Sequence, residues 1–76
     1  MNLAGQSAIV TGSTSGIGEA IARRLSDLGA GVVINSPGSV AQGKRLAADL
    51  PDAYYVQGDI ADPATAHALV AAAEER

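Results

Sequence analysis

The 76-residue sequence has no cysteine, no tryptophan and no phenylalanine, and aromatics make up only 3% of it. Without cysteine there is no disulfide to staple the fold and no thiolate to hold a metal. A cysteine-free chain suits a reducing interior, and a cytoplasmic setting is expected. Histidine is nearly absent too. His67 stands alone, so no metal-ligand set and no oriented Ser/His/Asp arrangement can be assembled around it. Positive charge is scarce: 5 Lys and Arg face 8 Asp and Glu, for a net charge of -3. Arg23-Arg24 and Lys44-Arg45 are isolated pairs on helix-like stretches, which argues against the clustered cations that nucleic-acid phosphates require. No segment approaches the roughly 18 unbroken apolar residues of a membrane span. The opening Met1-Asn2-Leu3-Ala4-Gly5-Gln6 lacks the basic and apolar regions of a signal peptide, so a membrane partner is not expected.

What the chain does have is small residues, including 9 glycines, arranged in three strand–helix units. Ser7 to Thr11 is β-prone. Ile17, Ala20, Ile21, Leu25 and Leu28 then recur at helical spacing, predicting a helix over about 16–28 closed by Gly29. A continuous apolar strand is predicted from Gly31 to Asn35, broken by Ser36-Pro37-Gly38. Ser39-Val40-Ala41-Gln42 has the form of a capping box, with Val40, Gly43, Ala47 and Leu50 as the inner stripe of a helix that Pro51 stops. A third strand is expected over about 53–57. Asp62 as cap and Pro63 at the first position then open a last helix. Its inner residues are expected to be Ala66, Leu69, Val70 and Ala73, with His67, Glu74 and Glu75 outward. Tyr54 and Tyr55 should lie one on each face of the third strand.

This β-α-β-α-β-α alternation predicts an α/β fold. It would be the N-terminal half of a doubly wound, Rossmann-type parallel sheet with strands in the order 3-2-1. The first strand would be an open apolar edge, a liability for association. Residues 1–76 are accordingly expected to form the N-terminal, mononucleotide-binding part of a single domain, the rest of which lies outside them.

The functional signal is Thr11-Gly12-Ser13-Thr14-Ser15-Gly16-Ile17-Gly18, a glycine-rich turn from strand into helix. The first amides of a helix have no partner within it, and the helix dipole adds partial positive charge there, so such a turn suits a phosphate. The usual Gly-x-Gly-x-x-Gly fingerprint fails, because Ile21 stands at its last glycine. The chain instead shows Thr-Gly-x-x-x-Gly-Ile-Gly. With Leu3-Ala4-Gly5 and Ala8-Ile9-Val10 before it and Gly58-Asp59-Ile60-Ala61-Asp62 after the third strand, this pattern resembles the short-chain dehydrogenase/reductase family along the whole chain.

That resemblance implies an NAD(P)-dependent oxidoreductase and assigns roles. Gly12 would permit the tight turn, Gly16 the approach of the pyrophosphate, and Gly18 close helix–strand packing. Ser13 and Ser15 would offer hydroxyls to phosphate or ribose, and Ile17 its amide. Asp59 would accept from the adenine amino group, and the Ile60 amide would reach the ring. Asn35 and Ser36 fall where an NAD site places an acid about 20 residues past the motif. With no carboxylate there to repel a 2′-phosphate, and no cation to attract one, NADP is slightly favoured over NAD.

The family's catalytic Tyr-x-x-x-Lys is absent from these residues: Gly58 and Asp59 lie four past Tyr54 and Tyr55, and the only lysine, Lys44, precedes both. No catalytic residue is assigned, and no turnover is expected of the 76 residues alone. A full-length parent would be a homo-oligomer, as the resemblance implies. Two alternatives stay open. One is a non-catalytic chain that binds no nucleotide and self-associates through its open sheet edge. The other is a triphosphatase-like loop at Gly38 to Lys44, which matches Gly-x-x-x-x-Gly-Lys but has Arg45 where a metal-binding Ser or Thr belongs.

Overall fold

The computed structural model describes residues 2–12 and 16–75. Strand β1 (Ser7–Thr11), helix α1 (Gly16–Asp27), strand β2 (Gly31–Ser36), helix α2 (Val40–Asp49), strand β3 (Ala53–Gln57) and helix α3 (Pro63–Glu74) follow in order. The strands form one parallel sheet with β2 in the middle, the expected 3-2-1 arrangement. Val10 lies beside Ile34, and Ile34 beside Tyr55; Thr11, Asn35 and Val56 make the next row. All six β2 residues are buried, as a parallel strand covered on both faces must be.

Helices α1 and α2 pack on one face and enclose the core of Val10, Ala22, Val32, Ile34 and Leu46. Helix α3 lies across all three strands on the other face. At the end of α1, Gly29 takes φ +102°. The Gly29 amide then bonds Ser26 and the Ala30 amide bonds Leu25, closing a Schellman motif. At the start of α3, Asp62 accepts from the Ala64 amide at 2.9 Å, with Pro63 following.

Two local expectations need correction, at α3 and at the start of α2. In α1 the buried residues are Ala22 and Ser26, with Leu25 packed against the core, while Ile17 and Ile21 are 80% and 47% exposed. The small Ala22 side chain lets the helix lie close over β1 and β2, and this rotates the larger isoleucines out of the core. In α3 the buried pair is Thr65 and Leu69, whereas Ala66 and Val70 are exposed. A Cβ on Gly58 would meet Thr65 Oγ1 at 2.3 Å, so glycine there lets Thr65 seat against the chain and fixes the helix's rotation. The capping box at Ser39 does not form. Ser39 is left-handed (φ 53°, ψ 42°) and makes no side-chain cap bond, because that geometry departs from the extended backbone a capping serine needs. Gln42 lines the cleft between α1 and α2 instead, and Leu46 joins Gly43 as the buried part of the α2 stripe.

Candidate functional site

The three strands are parallel, so their carboxyl ends open on one edge of the sheet, where ligands of open α/β sheets bind. Gly12 leaves β1 at φ +62° and Gly16 enters α1 at φ +60°, conformations that side chains with a Cβ rarely adopt. Among the described residues, a Cβ built on either would meet nothing within 4 Å, so no described side chain crowds the main chain at either end of this turn. Ile17 is exposed and Gly18 half-buried. Ser13 and Ser15 lie outside the described residues.

The exits of β2 and β3 are laced together. Asn35, only 1% exposed, donates through Nδ2 to the carbonyls of Val56 (3.0 Å) and Gly58 (3.1 Å). The Gly58 amide returns a bond to the Ser36 carbonyl at 3.0 Å. Ser36 is buried as well; its hydroxyl bonds the Gly38 carbonyl and lies 2.7 Å from the Tyr55 hydroxyl. Neither residue presents a free side chain to a ligand. Asp59 is exposed, and its Oδ1 accepts from the Ala61 amide at 2.9 Å while its carbonyl accepts from the Asp62 amide. This Asx-type turn aims the carboxylate beside the exposed Ile60.

Gly12, Ser36 and Asp59 thus stand at the ends of neighbouring strands, as the sequence led one to expect. The Tyr55–Ser36–Gly38 cluster was not anticipated. Its signal was a glycine inside a helix: Gly43 is buried in α2, and a Cβ there would lie 2.1 Å from the Tyr55 ring. The same observation removes the triphosphatase-like reading. The Gly43 amide is spent on the Ser39 carbonyl within the helix, so Gly38 to Lys44 is no phosphate-binding loop. Arg23, paired with Glu19 at 2.9 Å and Asp49 at 3.4 Å, lies on the α1–α2 side. The Glu19 hydrogen bond, followed by Asp49, raises its pKa further above the ordinary arginine value. Among the described residues no helix is long and apolar enough to cross a membrane.

Comparison with known proteins agrees with this architecture. The chain is 52% identical over 68 residues to a granaticin polyketide synthase putative ketoacyl reductase 2 of Streptomyces violaceoruber, covering 90% of this chain and 27% of that protein. It is 39% identical over 85 residues to an NADPH-dependent aldehyde reductase-like chloroplastic protein of Arabidopsis thaliana, covering 95% and 32%. A solved short chain dehydrogenase/reductase family protein aligns with TM-score 0.80 and 42% identity over 96% of this chain and 31% of that one. The chain therefore spans about a third or less of the length of the relatives it matches. The profile described as short chain dehydrogenase matches residues 6–76, nearly the whole of a sequence whose strands and helices follow that family's order, and the chain belongs to the short-chain dehydrogenase/reductase family.

Proposed function

We propose that residues 1–76 are the adenosine- and pyrophosphate-binding segment of an NAD(P)-dependent oxidoreductase, the N-terminal part of one dinucleotide-binding domain. The observation that carries this reading is the pair of positive-φ glycines, Gly12 and Gly16, which no described residue crowds where β1 leads to α1. Helix amides and the dipole would hold the pyrophosphate there, with Ser13, Ser15, Ile17 and Gly18 completing the turn. Asn35 would shape the floor through β3, while Ser36 would shape the ribose end. Asp59 and Ile60 would meet the adenine. When bound, the cofactor supplies hydride chemistry. What these residues contribute is binding and orientation. The lack of a carboxylate at Asn35 to Pro37 favours NADP, as does the NADPH dependence in the names of Arabidopsis relatives. A cytoplasmic setting is proposed with it, supported by the cysteine-free sequence.

The test is thermal protection of the chain by NADPH and by adenosine 2′,5′-bisphosphate, with no oxidation of NADPH expected. Gly16→Val should abolish the protection, since its side chain would stand where the phosphate must lie; binding is referred to the folded fraction seen by NMR. Undiminished affinity in folded Gly16→Val would reject the reading. A second reading has its own observation: among the described residues β1 has no strand on its outer side, and Ile9 on it is partly exposed. Concentration-dependent association without any response to nucleotide would favour self-pairing through that edge.

A further inference from the structure

We propose that Tyr55 is the positioning residue for the ribose end of the dinucleotide: its phenol, seated on the bare face of Gly43, latches the 36–38 bend beside the 2′ substituent. The inference rests on the nucleotide reading above. The latch has two parts. A Cβ on Gly43 would fall 2.1 Å from Tyr55 Cε1 and 2.4 Å from Cδ1, so the ring occupies the space that any other residue at 43 would fill. The phenol oxygen then stands 2.7 Å from Ser36 Oγ and 3.3 Å from the Gly38 carbonyl. Ser36 Oγ bonds that same carbonyl.

Each hydroxyl has a single hydrogen. The Gly38 carbonyl is in reach of both, accepting from Ser36 and from Tyr55, and the two hydroxyls share the 2.7 Å contact between them. Both donors are then consumed inside the protein. Ser36 occupies the place where an acid would bind the ribose, yet it is 3% exposed and braces the bend from beneath. The outer side of the bend consists of Pro37, Gly38 and Ser39, all exposed and none charged. Selection between a 2′-hydroxyl and a 2′-phosphate therefore depends on where the bend is held, and Tyr55 holds it.

The experiment titrates the 76-residue protein and its Tyr55→Phe variant with 5′-AMP and with adenosine 2′,5′-bisphosphate, followed by amide NMR. Phenylalanine keeps the ring on Gly43 and removes only the hydroxyl. The advantage of the bisphosphate over 5′-AMP should shrink by about three- to tenfold, the scale of one lost hydrogen bond. Ser36→Ala, which cuts the same chain of bonds at its middle, should move the ratio in the same direction, and it decides the matter if Tyr55→Phe does not fold. A merely structural role would weaken both ligands equally. An unchanged ratio with intact parental binding overturns the Tyr55 proposal and spares the nucleotide reading. Failure of the parent to bind either ligand overturns both.

Discussion

The exit of β1 and the exit of β2 lie side by side and are built on opposite plans. Beyond β1, Gly12 and Gly16 carry positive φ, and no described residue lies where a Cβ on either would point. At the end of β2, two polar side chains are buried and bond to the protein: Asn35 to β3 and the residue after it, Ser36 to Tyr55 and Gly38. The first exit is selected for what it leaves open and the second for what it closes. Substitutions at the first should therefore cost binding, and substitutions at the second should cost stability.

The largest stability effect should come from Asn35→Ala. It leaves the Val56 and Gly58 carbonyls without the buried amide that reaches both. An unsatisfied buried group costs about 1–3 kcal/mol, and a chain of this size has little stability to spare. Urea unfolding of the variant should show the lower midpoint. An unchanged midpoint would erase the difference between the two exits.

Asp59→Ala tests which plan governs the end of β3. Loss of the bond to the Ala61 amide should lower stability by about 0.5–1.5 kcal/mol. Loss of an adenine contact should weaken nucleotide binding by about 1–3 kcal/mol. Calorimetric titration beside thermal melts separates the two. A stability loss without a binding loss would place Asp59 with the closed exit and remove it from the site.

The element order and the parallel sheet were legible in the sequence because each depends on local signals. These are positive-φ glycine, the Asp62-Pro63 start and the unbroken apolar run of β2. The rotations of α1 and α3 were not legible. Apolar periodicity in α1 favours Ile17 and Ile21 over Ala22, yet the helix approaches the sheet through its small residue. In α3, Thr65 outranks Val70 only because Gly58, seven positions earlier, has no Cβ to hold it off. The lacing of Asn35 and Ser36 was hidden for a related reason. Polar residues at a strand end read equally well as ligand contacts or as internal bonds until their partners' positions are fixed.

Ser39 gives the smallest effect and the sharpest boundary between the two plans. Its left-handed backbone costs an L-residue about 1–2 kcal/mol, and glycine would relieve this while adding about 0.5–1 kcal/mol of unfolded-state entropy. The side chain makes no cap bond, so removing it forfeits nothing within the helix. Ser39→Gly should therefore raise stability by about 0.5–1 kcal/mol, a rise of a few degrees in melting temperature. If the hydroxyl faces the ribose end of the cofactor, the same variant should bind adenosine 2′,5′-bisphosphate more weakly even as it melts higher. Such opposed shifts would make Ser39 a residue that carries backbone strain for the sake of the ligand. A higher melting point with unchanged affinity would leave it only as the hinge on which α2 begins.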